Sequence, residues 1–180
     1  QLLDLKFRRK SMELARDLYV FCCFTGLSFT DMKNLTKDNV QTSFDGKLWI
    51  MTKRQKTGVE SSIMLMDIPL RIIEKYDGMA KEDYLLPVPL YITACKNLKT
   101  IIGLCGIEKN ITWHTSRHTM ATEICLTNGV PIETLSKMLG HTNIRTTQIY
   151  AKITHEKESR DMNTLSDKLS KIEQFSGITI

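Results

Sequence analysis

Long apolar runs are missing from this 180-residue chain, so no segment reads as a membrane span. No stretch has the basic-then-apolar pattern of a secretory leader. Cys-x-x-Cys spacing is absent too, which argues against a thiolate metal site. The five cysteines, Cys22, Cys23, Cys95, Cys105 and Cys125, are odd in number and include a vicinal pair. They fall in apolar helical stretches and read as reduced core thiols of a cytosolic protein. There is no glycine-rich loop to cradle a nucleotide, and no carboxylate cluster of the kind a two-metal site needs. Neither an internal repeat nor a low-complexity linker divides the chain.

What is present is a chain long enough for one domain with a substantial core. Lys and Arg outnumber Asp and Glu, 25 to 20. That modest excess permits a nucleic-acid partner without demonstrating one. The chain opens at Gln1 with a helical pattern already under way, and reads as a fragment of a longer protein.

The apolar positions Leu14, Leu18, Phe21 and Cys22 predict a core helix over 11–24, stopped by Gly26. Ser28-Phe29-Thr30-Asp31 fits a capping box and predicts a short helix through Leu35. Asp45-Gly46 is a strong hairpin signal. It precedes an alternating strand over 47–53, a second turn near Thr57-Gly58 and another strand over 60–66. Helical periodicity returns over 70–79 and 90–104, with Pro87 and Pro89 between. Further helices are predicted over 115–128, ended by Gly129, and over 131–139, with a proline in the first turn. A shorter helix over 145–153 carries Tyr150. The last, over 156–174, is polar apart from a narrow stripe of Met162, Leu165, Leu169 and Ile172. The fold class is mainly α with one small antiparallel sheet of two to three strands.

The chemistry concentrates in His114-Thr115-Ser116-Arg117, Leu139-Gly140-His141 and Tyr150. Arginine and histidine hold a phosphate and neutralise the charge that builds on it during displacement. A tyrosine hydroxyl beside them can act as nucleophile, leaving a covalent phosphotyrosyl intermediate. Each element alone has a plainer reading. His-x-x-Arg can be a surface helix start, Gly140 an ordinary C-cap, and Tyr150 a half-buried core aromatic. Order and spacing together are more specific, and point to an enzyme that breaks and rejoins DNA.

From about Arg16 to Lys152 the chain resembles the catalytic domain of the tyrosine recombinases, the phage-integrase family. The segments carrying the resemblance are His114-Thr115-Ser116-Arg117-His118-Thr119, Leu139-Gly140-His141-Thr142 and Thr146-Thr147-Gln148-Ile149-Tyr150. Thr25-Gly26-Leu27 and Lys56-Thr57 fall where the family has its other two active-site elements. The likeness is greatest to integrases of bacterial mobile elements such as conjugative transposons. It implies Tyr150 as nucleophile and Arg117 as a bidentate grip on the non-bridging oxygens. His114 would bond the phosphate or take the tyrosine proton, and His141 would hydrogen-bond the transition state. Lys56, on the hairpin, would protonate the leaving 5′ oxygen, with Lys53 as its rival. His118 is expected to face elsewhere on its helix.

One position departs from the family pattern: Ser28 stands where a second catalytic arginine is expected. Arg54 is the candidate replacement, since two residues before Lys56 it would share a strand face with that lysine. The alternatives are that Arg54 only touches DNA backbone and that Ser28 is only an N-cap.

The resemblance further implies site-specific recombination through a 3′-phosphotyrosyl link, integrating or excising a mobile element without metal or cofactor. Its partners would be double-stranded DNA at attachment sites, a homotetramer formed on that DNA and accessory DNA-bending proteins, in a bacterial cytoplasm at the nucleoid. Residues 1–154 would form the catalytic domain and 155–180 a helical tail that docks in trans, with docking on its own domain as the plainer alternative. An N-terminal DNA-binding domain would be absent from this fragment. Two other classes stay open. One is a non-catalytic regulator using 131–150 as a helix-turn-helix, and the other is a metal-independent phosphodiesterase or type IB topoisomerase.

Overall fold

Helix α1 (Lys10–Thr25) is buried along its whole second half, from Ala15 to Cys23. A helix apolar on all sides must be covered on all sides, and α1 is packed by α3 (Asp67–Lys75), α4 (Tyr91–Leu104) and α5 (Trp113–Thr119). These relations come from a computed structural model that describes residues 2–151 and 155–176, with side chains of the second stretch described over 158–170. The chain divides into two compact units, Gln1–Tyr150 and Ala151–Ile180.

Gly26 ends α1 as the sequence pattern requires, in the left-handed region at φ 67° with its N–H on the Cys22 carbonyl. Ser28 caps α2 (Phe29–Lys33), and its hydroxyl accepts from the Asp31 N–H at 3.1 Å. The helix stops short of Leu35 because the Leu35 side chain is fully buried and its carbonyl is taken by the Leu85 N–H at 2.8 Å.

The sheet has three antiparallel strands in the order β1 (Val40–Thr42), β2 (Leu48–Lys53) and β3 (Glu60–Met64). Its register puts Ile50 opposite Ile63, and both are buried in the core that α1 centres. The third strand ends at Met64 because α3 begins earlier than periodicity predicts. Pro69 sits inside its first turn, where an N–H would have no intrahelical partner, so the ring costs nothing.

Helix α5 starts at Trp113, two residues before the predicted start. Thr112 and Thr115 bond each other's hydroxyls and the Thr112 N–H to close that end. The predicted continuation to Asn128 is present but not α-helical. It passes through a π segment, Met120–Cys125, and a 3-10 turn, Leu126–Asn128, before Gly129 at φ 82°. The Thr119 and Thr122 hydroxyls donate to the Thr115 and His118 carbonyls, four residues back. Such back-bonding competes with the helical ladder and bends it.

Helix α6 (Ile132–Met138) follows Pro131. Helix α7 (Arg145–Gln148) is shorter than predicted, so Tyr150 stands in the turn beyond it, its N–H on the Thr147 carbonyl at 3.0 Å. The predicted end of that helix, Ile153, lies outside the described residues. In the second unit, α8 (His155–Ser176) exposes Met162, Leu165 and Leu169; the Ile172 side chain lies outside those described.

All five cysteines are free. Cys22, Cys23 and Cys125 are core thiols, but Cys95, in α4, and Cys105, just past its end, are only half-buried. Among the described residues no helix is long and apolar enough to cross a membrane.

Leu18 is fully buried at the centre of α1. Leu18→Ala should cost about 2–5 kcal/mol of stability, read as a lower denaturant midpoint at unchanged slope.

Candidate active site

Arg117 is buried, with no carboxylate bonded to it among the described residues. Its Nη1 donates to the Gly26 carbonyl at 2.6 Å, and its Nη2 donates to the Leu139 carbonyl and lies 3.1 Å from His141 Nε2. Gly26 closes α1 and Leu139 closes α6, so two helix C-termini present their partial negative charge to one guanidinium. Burial, and Arg54 nearby, push its pKa down to about 10, with Tyr150 and Asp31 opposing the fall. It stays cationic at neutral pH. Its side chain is also within hydrogen-bonding reach of Tyr150. These contacts occupy most of a five-donor group, and an anion is met by the donor left over and by those it draws away from these partners.

His141 follows Gly140, whose φ of +59° turns the chain. Its Nδ1 lies 2.8 Å from Thr147 Oγ1. A guanidinium only donates, so Nε2 accepts from Arg117 and the ring proton sits on Nδ1, donated to Thr147. Burial, then Arg117 and Arg54, push this histidine's pKa down to about 4.

Tyr150 is 6% exposed. Its ring lies parallel to His141 at 6.4 Å and meets the His118 ring edge-on at 4.9 Å. His118 therefore faces Tyr150, contrary to the expectation that it points elsewhere on its helix. His114 and His118 are four residues apart on one helix face, their rings 5.2 Å apart, and that face looks toward Tyr150. His114 is exposed, its pKa lowered by burial first and then by His118, Arg117, Arg54 and Lys56. Lys56 thus lies within electrostatic reach of the cluster.

Arg54 reaches the site by a route the strand argument missed. β2 ends at Lys53, and Arg54 opens a turn whose Gly58 N–H returns to the Arg54 carbonyl at 2.8 Å. Arg54 and Lys56 therefore do not share a strand face. The Arg54 stem crosses Gly140 so closely that a Cβ there would lie 2.7 Å from Cδ. Its side chain is 13% exposed, with Nε 3.6 Å from Asp31 Oδ2. That buried Nε makes no hydrogen bond among the described residues. Asp31 is fixed in turn by the Ser28 hydroxyl at 2.7 Å and the Gln55 N–H at 2.9 Å. Ser28 and Arg54 thus share one carboxylate, which puts the Arg54 head beside the position where the family's arginine is expected.

The two hairpin lysines differ in their surroundings. Lys53 is 71% exposed and lies 3.7 Å from Glu60, its cross-strand neighbour. Lys56 is exposed at the turn. The hairpin is docked on the end of α6, with Thr57 Oγ1 donating to the Gly140 carbonyl at 3.4 Å and Ser61 Oγ to that of Met138. A cleft of about 430 Å³, lined by Ser28, Lys33, Tyr91, His114 and Arg117 among others, opens beside the cations.

Sequence reasoning gave no role to Thr147, although it sits within a quoted motif, three residues before Tyr150. Arginine, histidine and tyrosine meeting in one cationic pocket can hold a phosphodiester and attack it.

The family model described as "Phage integrase family" matches residues 5–157. A tyrosine recombinase of Pseudothermotoga lettingae is 28% identical over 176 residues, covering 92% of this chain and 57% of that protein. The chain thus spans little more than half of that curated relative. Among solved structures, XerH site-specific recombinase bound to palindromic difH substrate superposes with a TM-score of 0.70 at 17% identity, covering 92% of this chain and 49% of XerH. The Tn1549 transposon integrase, in complex with transposon right end DNA, gives 0.64 at 16% identity, covering 92% and 62%. At these identities the two structures speak for the fold.

With its pKa held near 4, His141 should stay neutral in an NMR titration from about pH 8 to pH 5. The unfolded chain, with a histidine near 6.5, binds a proton that the fold refuses. This residue therefore favours unfolding as pH falls from 6.5 toward 4 and has no such effect above that window.

Proposed function

Because the chain belongs to the phage integrase family, we propose that it is the catalytic portion of a tyrosine recombinase that cuts and rejoins DNA at specific sites. The observation that carries this reading is the meeting of Tyr150, His141 and Arg117 in one buried cluster. The Tyr150 oxygen attacks phosphorus, forming a 3′-phosphotyrosyl bond as the bond to the 5′ oxygen breaks. His114 bonds the phosphate or takes the phenolic proton, and Lys56 protonates the leaving oxygen. Lys56 is preferred to Lys53 because its charge acts on His114, while Lys53 is paired with Glu60.

Arg117, Arg54 and His141 spread the charge on the non-bridging oxygens. Arg54 stands in for the arginine missing at Ser28. Attack by a partner strand's 5′ hydroxyl reverses the step. Because the covalent link conserves bond energy, the cycle calls for no cofactor.

The wider assignment follows the same reading. The substrate is double-stranded DNA at attachment sites, engaged by a homotetramer aided by DNA-bending proteins. The setting is a mobile element integrating or excising in a bacterial cytoplasm, at the nucleoid. Residues 1–154 form the catalytic domain, partnered in the full protein by an N-terminal DNA-binding domain. The tail, 155–180, docks on a neighbouring copy, supported by the exposed Met162, Leu165 and Leu169.

Tyr150→Phe should abolish the covalent protein–DNA adduct on a nicked site while leaving noncovalent binding within about twofold of the parent, since only one hydroxyl is removed. The same adduct on a denaturing gel from the phenylalanine variant would sink the assignment. Relaxed plasmid without recombinant product would mark a type IB topoisomerase instead.

Arg54→Ala should slow single-turnover cleavage by about 10²–10³, the usual cost of a lost transition-state donor, with little change in affinity. Adding Ser28→Arg should recover much of that rate. A uniform loss of affinity with a flatter salt dependence would instead make Arg54 a backbone contact.

A further inference from the structure

Thr147 is fully buried and touches both His141 and Tyr150. Its hydroxyl meets His141 Nδ1 at 2.8 Å, and its carbonyl accepts the Tyr150 N–H at 3.0 Å. Its own N–H bonds the Ile144 carbonyl at 2.7 Å. A packing residue at this position would need no hydroxyl, and the hydroxyl is aimed at the one ring nitrogen that Arg117 does not face.

The free site and the occupied site ask opposite things of His141. In the free site Nε2 accepts from Arg117, so Nδ1 carries the proton. When a phosphodiester draws the Arg117 donors to its oxygens, His141 helps only by donating from Nε2. It can do so by gaining a proton and becoming cationic. Burial opposes that first, and then charge: Arg117 from α5 and Arg54 from the turn after β2 both disfavour a third positive charge. The phenol of Tyr150, parallel to the ring, is the other titratable group facing it among the described residues. The neutral alternative is to exchange one proton for another with solvent, which the half-buried ring can reach: Nδ1 gives its proton up to water and Nε2 takes one from water. Nδ1 then needs a donor in place of an acceptor. A hydroxyl supplies either by rotating about its C–O bond.

We propose that Thr147 is a positioning residue that keeps His141 neutral and lets its proton change ring nitrogens, by reversing the sense of one hydrogen bond when phosphate enters. This rests on reading Tyr150, Arg117 and His141 as the phosphoryl-transfer set. The main-chain bond to Tyr150 ties the same residue to the nucleophile.

The test compares Thr147→Val, of nearly the same shape but without a hydroxyl, with Thr147→Ser, which keeps it. Imidazole ¹⁵N shifts of His141 are recorded in the free protein and, on the Tyr150→Phe background, in complex with a DNA site. The parent should show Nδ1–H when free and Nε2–H when bound. The valine variant should fail to reach the neutral Nε2–H form, and the serine variant should reach it. On the Tyr150 background, valine should slow adduct formation by about 10–100-fold, a usual cost of losing the group that orients a site histidine. Its residual rate should rise as pH falls, because protonation becomes its only route to a donor. Serine should stay within a few-fold of the parent.

Equal rates for valine and parent, serine as slow as valine, or a proton on Nε2 in the free parent would each overturn the proposal. A parent protein that forms no Tyr150 adduct overturns the functional reading instead, and the free-protein spectrum still decides the Thr147–His141 pair.

Discussion

The structure turns on a buried guanidinium bonded to main-chain carbonyls. Stripped of partners, a buried charge of this kind costs roughly 3–5 kcal/mol, so the ends of α1 and α6 must meet wherever Arg117 sits. They do, through Gly26 and Leu139. Contact between those ends is close as well: a Cβ on Gly26 would lie 2.9 Å from Leu139 Cδ2. A carboxylate partner would have neutralised the arginine. Carbonyl partners stabilise it and leave its full charge to act on whatever enters the cleft.

Around this cation the site is built from mutual repulsion held in check. Burial is the first cause of the lowered pKa values of Arg117, His114 and His141; Arg54 then adds to the fall at Arg117, and both arginines add to it at the two histidines. Asp31 offsets part of this by sitting beside Arg54, itself fixed by Ser28 and Gln55. An excess of positive charge in a partly dry site is strained in the absence of an anion and relieved by one. Burial first, and this arrangement after it, keeps His141 neutral, which leaves it free to accept or pass a proton.

What was legible in the sequence was local. Gly26 and Gly129 mark helix ends because left-handed backbone favours glycine, and both stand there. Ser28 was read as an N-cap and is one, because the Ser-x-x-Asp pattern is completed within four residues. The grouping of Arg117, His141 and Tyr150 was legible through motif order. What escaped depended on partners distant in sequence. Arg54 turns inward because Gly140, far along the chain, leaves room for its stem. His118 finds Tyr150 only once α7 has folded back. The π segment after α5 reflects hydroxyls competing with the ladder, which apolar periodicity does not record.

Because α7 closes after four residues, Tyr150 is not carried on a cooperative helix. So brief a helix has little resistance to unwinding, and the tyrosine is held instead by one turn hydrogen bond, by the rings of His141 and His118 and by Arg117 within hydrogen-bonding reach. Its placement is therefore a property of the assembled pocket. The nucleophile can swing through a few main-chain torsions without melting an element of the core, and its aim is only as good as the histidines and the arginine beside it.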